Sequence, residues 1–176
     1  MANIVYIATS IDGYIARKDG SINWLTEWPN PDKSDYGFFD FLDSVDSIIM
    51  GRNTFETVSA FDEWVYTKPV FVLTNTLTEL SGKWADKGEI IKGDLQGILS
   101  ALNDRGMKSF YIDGGKTIQS FLAQDLIDQM IITQIPILLG SGIPLFVDGG
   151  LELKFNHTAT DIYNGGLVKN SYTRDR

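Results

Sequence analysis

Two short glycine turns hold the residues best suited to chemistry: Ile48-Ile49-Met50-Gly51-Arg52-Asn53-Thr54-Phe55-Glu56 and Tyr111-Ile112-Asp113-Gly114-Gly115-Lys116-Thr117-Ile118. Each follows an apolar run of buried-strand type and opens a helical pattern. Glycine there lets the backbone approach an anion. The first helical N–H groups lack intrahelical partners, so a phosphate meets both donors and the positive end of the helix dipole. A cation, Arg52 or Lys116, stands just beyond each turn. Tight strand-to-helix turns also use glycine for conformational reasons alone. Two such turns, each with its own cation, point to a dinucleotide, and Thr74-Asn75 at the end of a third apolar run is placed to hold a ribose or its phosphate.

A carboxylate is the second candidate. In the helical pattern over 34–44, Asp35, Phe39 and Leu42 fall at i, i+4 and i+7, which puts one acid on a face with two core-type side chains. Either Asp35 caps the helix, where negative charge is favoured by about 0.3–1 kcal/mol, or it lines a pocket rim, half desolvated, and accepts hydrogen bonds from a cationic or amidine-like ring. Both readings stay open on local grounds.

The frame that must position these groups is an alternation. Apolar, β-rich runs at 3–9, 47–50, 69–74, 109–112 and 127–135 alternate with helical patterns near 34–44, 52–60, 94–105 and 116–124. This predicts an α/β fold with a mostly parallel central sheet flanked by helices. The strand-like runs Lys154 to Tyr163 and Leu167 to Thr173, around Asn164-Gly165-Gly166, predict a C-terminal antiparallel hairpin. The turn-rich stretch 12–34 reads as a mobile surface loop. No repeat or linker divides the 176 residues, so residues 1–176 form one domain with one core.

Composition narrows the function. A net charge of −8 argues against a nucleic-acid or anionic-membrane surface, so any anion site is local. The absence of cysteine removes thiol chemistry and suits a reducing cytoplasm. The apolar start lacks the basic region of a signal peptide and meets Asp12 early, so it reads as a strand. Gly115-Lys116-Thr117 resembles the end of a P-loop, but Phe110 occupies the earlier glycine position. Gly140-Ser141-Gly142 starts like a Rossmann fingerprint, yet Pro144 and Leu145 follow, so it reads as a bend between strands. His157 is the single histidine and no Gly-x-Ser-x-Gly elbow exists; His157 reads as a solvated strand residue. Carboxylates do not cluster with ligand spacing, and no metal is expected.

Ile49-Met50-Gly51-Arg52-Asn53-Thr54-Phe55-Glu56 resembles the dihydrofolate reductase signature, with Asp35 and Phe39 at the spacing that family keeps before it. Ala8, Asp12 and Ile15 are similar to its first strand and loop, the turn at 114–115 to its pyrophosphate site, and Ile132-Thr133-Gln134-Ile135 to its late core strand. Pro136 through Phe146, and Asp113-Gly114-Gly115, resemble instead the reductase domain of riboflavin biosynthesis. The chain is thus similar to small stand-alone proteins between the two branches, and the resemblance implies the dihydrofolate reductase-like fold.

The resemblance also implies NADPH as cofactor. Gly51, Arg52, Asn53 and Thr54 would hold its adenosine end and phosphates, with Arg52 favouring the 2′-phosphate and Leu73, Thr74 and Asn75 against the ribose. Ile112, Gly114, Gly115, Lys116, Thr117 and Ile118 would cradle the pyrophosphate and approach the nicotinamide, which Ala8 and Ile15 would contact from the first strand and loop. Asp35 would face the substrate ring, with Thr133 sharing its hydrogen-bond network. Tyr6, Trp24, Tyr36, Phe39 and Val58 would form walls. Lys68 stands where folate-reducing relatives carry an arginine, Ile118 where they have a tyrosine, and Lys33 to Leu42 has none of the arginine expected for a ribose phosphate. The expected chemistry is hydride transfer to a pterin- or aminouracil-type heterocycle, most like 5-amino-6-(5-phosphoribosylamino)uracil reductase or dihydrofolate reductase; the alternative is a non-catalytic NADP(H)-binding regulatory protein. The apolar run 135–146 makes a homodimer an expectation.

Overall fold

The computed structural model describes the whole chain, Met1–Arg176. Its strands are β1 (Ala2–Ser10), β2 (Tyr14–Ala16), β3 (Ser47–Gly51), β4 (Val70–Leu73), β5 (Gly88–Ile91), β6 (Ser109–Asp113), β7 (Gln129–Ile135), β8 (Ile143–Pro144), β9 (Phe155–Ile162) and β10 (Val168–Arg174). The helices are α1 (Asn23–Thr26), α2 (Phe38–Asp43), α3 (Arg52–Ser59), α4 (Leu95–Asp104) and α5 (Gly115–Leu122). Eight strands form one sheet in the order β5-β4-β3-β6-β1-β7-β10-β9, while β2 and β8 pair separately. Neighbours from β5 to β7 are parallel, and β10 and β9 add antiparallel strands at one edge. The expected fold class is therefore found, including the C-terminal hairpin.

The period-two pattern of the central strands explains the layers. In β3, Ile48 and Met50 point to one face and Ile49 to the other; in β4, Val70 and Val72 oppose Phe71 in the same way. Ile48, Met50, Val70 and Val72 pack with Phe41, Leu42 and Phe55 from α2 and α3. Ile49 and Phe71 pack with Leu95, Ile98, Leu99, Ile118 and Phe121 from α4 and α5. Both faces are covered, as a parallel sheet requires. No helix is long and apolar enough to cross a membrane.

Three expectations need correction. The helix expected over 34–44 starts only at Phe38, because Tyr36 and Gly37 both take left-handed backbone conformations, with φ of 58° and 82°. The stretch 12–34 is no plain loop: it contains β2, held against β8, and α1, whose Trp24 is buried with Ile135 and Leu167. The edge strand β5 escaped the sequence reading because Gly88-Glu89-Ile90-Ile91 is short and half exposed. His157 is exposed on β9, with a nitrogen 2.7 Å from the Thr160 hydroxyl.

Candidate functional site

The site is built where β3 and β6, adjacent and parallel, both end. Their register sets Met50 beside Asp113, so the turns that follow are neighbours. Contact between them is close enough to demand glycine. A Cβ on Gly114 would stand 2.1 Å from Thr54 Oγ1, and its φ of +91° disfavours any side chain as well. A Cβ on Gly51 would stand 2.9 Å from Thr117 Oγ1. Neither α3 nor α5 receives a side-chain cap, so the first N–H groups of both helices face outward with their dipole ends.

Both turns open on a single cleft of about 1250 Å³. Gly51, Arg52, Asn53 and Thr54 line it, as do Gly114, Gly115, Lys116 and Thr117. Leu73, Thr74 and Asn75 continue the same wall, and Ala8 and Ile15 approach from β1 and β2. Tyr6, Tyr36, Asp35, Val58 and Thr133 line it too. Most of the residues named from the sequence therefore meet at this one cleft, beside others that it did not name, among them Phe38, Tyr66, Tyr111 and Asp113. Arg52 is not free, because its Nε lies 2.7 Å from Glu56 one turn later.

Five named residues lie elsewhere. Ile112 and Ile118 are fully buried in the core beneath the turn. Trp24 is buried away from the cleft, and Phe39 is 51% exposed, its neighbour Phe38 taking the place on the wall. Lys68 is off the cleft and donates from Nζ to the Asp43 carbonyl at 3.4 Å. Phe39 and Asp35 do not share a helix face, since Asp35 precedes the helix.

Asp35 is exposed at the rim, not half desolvated. Its carboxylate turns back to accept from the N–H groups of Phe39 at 3.0 Å and Gly37 at 3.1 Å. Those bonds hold its carboxyl below the ordinary carboxylate value. The capping role is thus real, and it coexists with a place on the cleft. The Tyr36 carbonyl pins this turn by accepting from Tyr6 at 2.8 Å, Tyr163 at 3.0 Å and Lys169 at 3.0 Å.

Asp35 and Thr133 make no direct hydrogen bond to each other. Thr133 sits on β7 opposite Ala8, 4% exposed, and its hydroxyl has no partner in the protein. An unpaired buried hydroxyl costs roughly 1–3 kcal/mol unless something meets it.

Sequence reasoning missed a further acid, on the floor of the cleft. Asp113 ends β6 and lines the floor, where burial pushes its carboxyl up to about 6, opposed by the Gly114 N–H and the Tyr66 phenol at 3.3 Å. Tyr66 is itself shifted up, by burial first and then by Asp113. An acidic residue closing an otherwise apolar strand was the available signal.

Comparison with known proteins agrees with this geometry. A family model described as the RibD C-terminal domain matches residues 3–168. A candidate riboflavin biosynthesis protein of Shewanella sp. PV-4 is 50% identical, with a TM-score of 0.94 over all of both chains. A diaminohydroxyphosphoribosylaminopyrimidine deaminase/5-amino-6-(5-phosphoribosylamino)uracil reductase of Thermotoga maritima superposes with a TM-score of 0.76 at 14% identity, covering 99% of this chain and 56% of that one. Dihydrofolate reductase of Enterococcus faecalis, solved with NADP(H), superposes with a TM-score of 0.69 at 15% identity over 99% of this chain and 97% of that one. The fold is therefore dihydrofolate reductase-like.

Proposed function

Because this chain belongs to the RibD C-terminal domain family, we propose that it is an NADPH-dependent reductase that transfers hydride to a pterin- or aminouracil-type heterocycle. The observation that carries this reading is the pair of uncapped helix starts, packed side by side on one cleft. The cleft exceeds the usual range of about 300–1,000 Å³ for small-ligand sites, so a dinucleotide and a flat ring fit together. NADPH, when bound, supplies the reducing hydride.

The N–H groups opening α3 and α5 would hold its phosphates, with Lys116 adding charge. Arg52 would reach a 2′-phosphate by exchanging Glu56 for it. Ala8 and Ile15 would position the nicotinamide, and Thr133 would give its unpaired hydroxyl to cofactor or substrate. Asp35 would accept from the amino edge of the ring. Asp113, protonated below about pH 6, would hold a proton at its carboxyl for the atom that gains one as its neighbour takes the hydride. Aromatic walls from Tyr6, Tyr36 and Phe38 would exclude water from the bound rings.

Nicotinamide fluorescence titration tests binding, and loss of absorbance at the reduced-nicotinamide band tests turnover across dihydrofolate, dihydropterins and ribosylaminouracils. Saturable binding with oxidation by one of these supports the proposal. No affinity at millimolar NADPH overturns it, and binding without oxidation of the cofactor by any of them reduces it to an NADP(H)-binding protein. We also place the homodimer in this reading: Leu138, Phe146 and Val147 are 69%, 55% and 52% exposed, and sedimentation would show the dimer.

A further inference from the structure

Resting on the reductase reading, we propose that the ring to be reduced enters this cleft without a phosphate: the substrate is a neutral or cationic heterocycle, not a ribose phosphate. The distribution of charge along the cleft carries this. Arg52 and Lys116 are the only lysine or arginine residues on its wall, and both stand at the starts of α3 and α5, where the cofactor's phosphates belong. The substrate half presents phenols, apolar side chains and the two carboxylates Asp35 and Asp113.

A phosphate monoester carries about −1.5 to −2 charges at pH 7, and its sites use forked guanidinium groups or open helix starts. Lys169 borders this half at the Tyr36 carbonyl, and its ammonium is already engaged within the protein. Its side chain is 13% exposed, lies 3.2 Å from Asp161, donates to the Tyr36 carbonyl at 3.0 Å and sits 5.3 Å from the centre of the Tyr163 ring. The start of α2, beside Asp35 and Phe38 on this wall, is closed too. Its free N–H groups at Gly37 and Phe39 are taken by Asp35, so an acid of the protein occupies the place a phosphate would need. An incoming phosphate would face like charge there with no compensating donor. A protonated amino-pyrimidine edge would instead find a matched acceptor.

The test compares 5-amino-6-(ribosylamino)uracil with its 5′-phosphate, by calorimetry on the NADPH-loaded protein and by NADPH oxidation, with 2,4-diaminopyrimidine as a cationic probe. The unphosphorylated uracil is expected to bind about tenfold or more tightly than the phosphate. Diaminopyrimidine is expected to bind and to lose about tenfold in Asp35→Asn, a variant that keeps a capping side chain and in which the discrimination against phosphate should shrink. Equal or tighter binding of the phosphate overturns the proposal, as does failure of both the unphosphorylated uracil and the diaminopyrimidine to bind. Ligand binding with no NADPH oxidation counts against the reductase reading alone, since calorimetry still decides the preference.

Discussion

Three helices start at the carboxyl edge of the parallel strands, and they start differently. Helix α4, after β5, is capped by its own acid: Asp94 accepts from the Gly97 N–H at 2.8 Å. Helices α3 and α5 begin at glycines with no side-chain cap and a cation at or one residue past the first helical position. All three bury an apolar side toward the core, so packing does not separate them. What differs is who satisfies the dipole. A structural helix closes its start with a carboxylate worth roughly 0.5–2 kcal/mol, while a ligand-binding helix leaves it open and accepts lower stability when empty. Asp35 at α2 belongs with Asp94, which is why that start cannot take a phosphate.

The largest effect should come from closing an open start by force. Gly114→Ala brings a methyl group into the Thr54 hydroxyl at a positive φ, and should cost roughly 2–5 kcal/mol in urea denaturation and on the order of 100-fold in NADPH affinity. Adding Thr54→Ala should recover part of both losses, whereas additive losses would show that the two turns do not press on each other. Next in size is Asp113→Asn, expected to slow turnover by about 10²–10⁴-fold with NADPH affinity nearly intact. Its pH behaviour has a defined sign. The folded carboxyl is raised to about 6 from an ordinary 3.8, so the folded state holds the proton longer and ionisation opposes folding. Stability should fall as pH rises from about 4 to above 6, and Asp113→Asn should flatten that slope in a pH series of denaturation midpoints.

The sequence made the open starts legible because glycine, cation and buried strand stand within a few residues of one another. The sheet was legible for the same reason: Ile48-Ile49-Met50 and Val70-Phe71-Val72 are continuous apolar runs, the mark of strands buried on both faces. What failed depended on long-range facts. Moving the start of α2 by four residues, from 34 to 38, leaves Asp35 outside the helix, so the i, i+4 spacing no longer aligns it with Phe39, and Phe38 takes the place on the wall. No local pattern announces that Tyr36 will take a left-handed conformation, since the three donors on its carbonyl come from β1, from β10 and from the segment before β10. Asp113 reads in the sequence only as part of a glycine turn, although its position at the strand end beside Tyr66 makes it part of the floor. The family resemblance puts Trp24 on the wall, but Ile135 and Leu167 offer a deeper site for its ring.

A smaller effect sharpens the contrast from the ligand side. Lys116 makes no ion pair in the protein and is exposed beside the open start of α5. Lys116→Ala should weaken NADPH by about tenfold, with the difference shrinking as salt is raised, while leaving the denaturation midpoint within error. A loss that does not respond to salt would mean that the side chain acts by shape and not by charge.

The smallest effect belongs to the closed start. Asp94→Ala should lower stability by about 1 kcal/mol and leave NADPH affinity unchanged within a factor of about two. The helix itself should persist, because Leu95, Ile98, Leu99 and Leu102 are all buried and fix it to the sheet. The variant exposes a third uncapped start on the same sheet edge, but Asp94 is not part of the cleft wall, so a phosphate has no reason to settle there. If Asp94→Ala weakened NADPH as much as Lys116→Ala did, the capped and open starts would be energetically coupled through the sheet. The division between structural and ligand-facing helix ends would then be one of degree only.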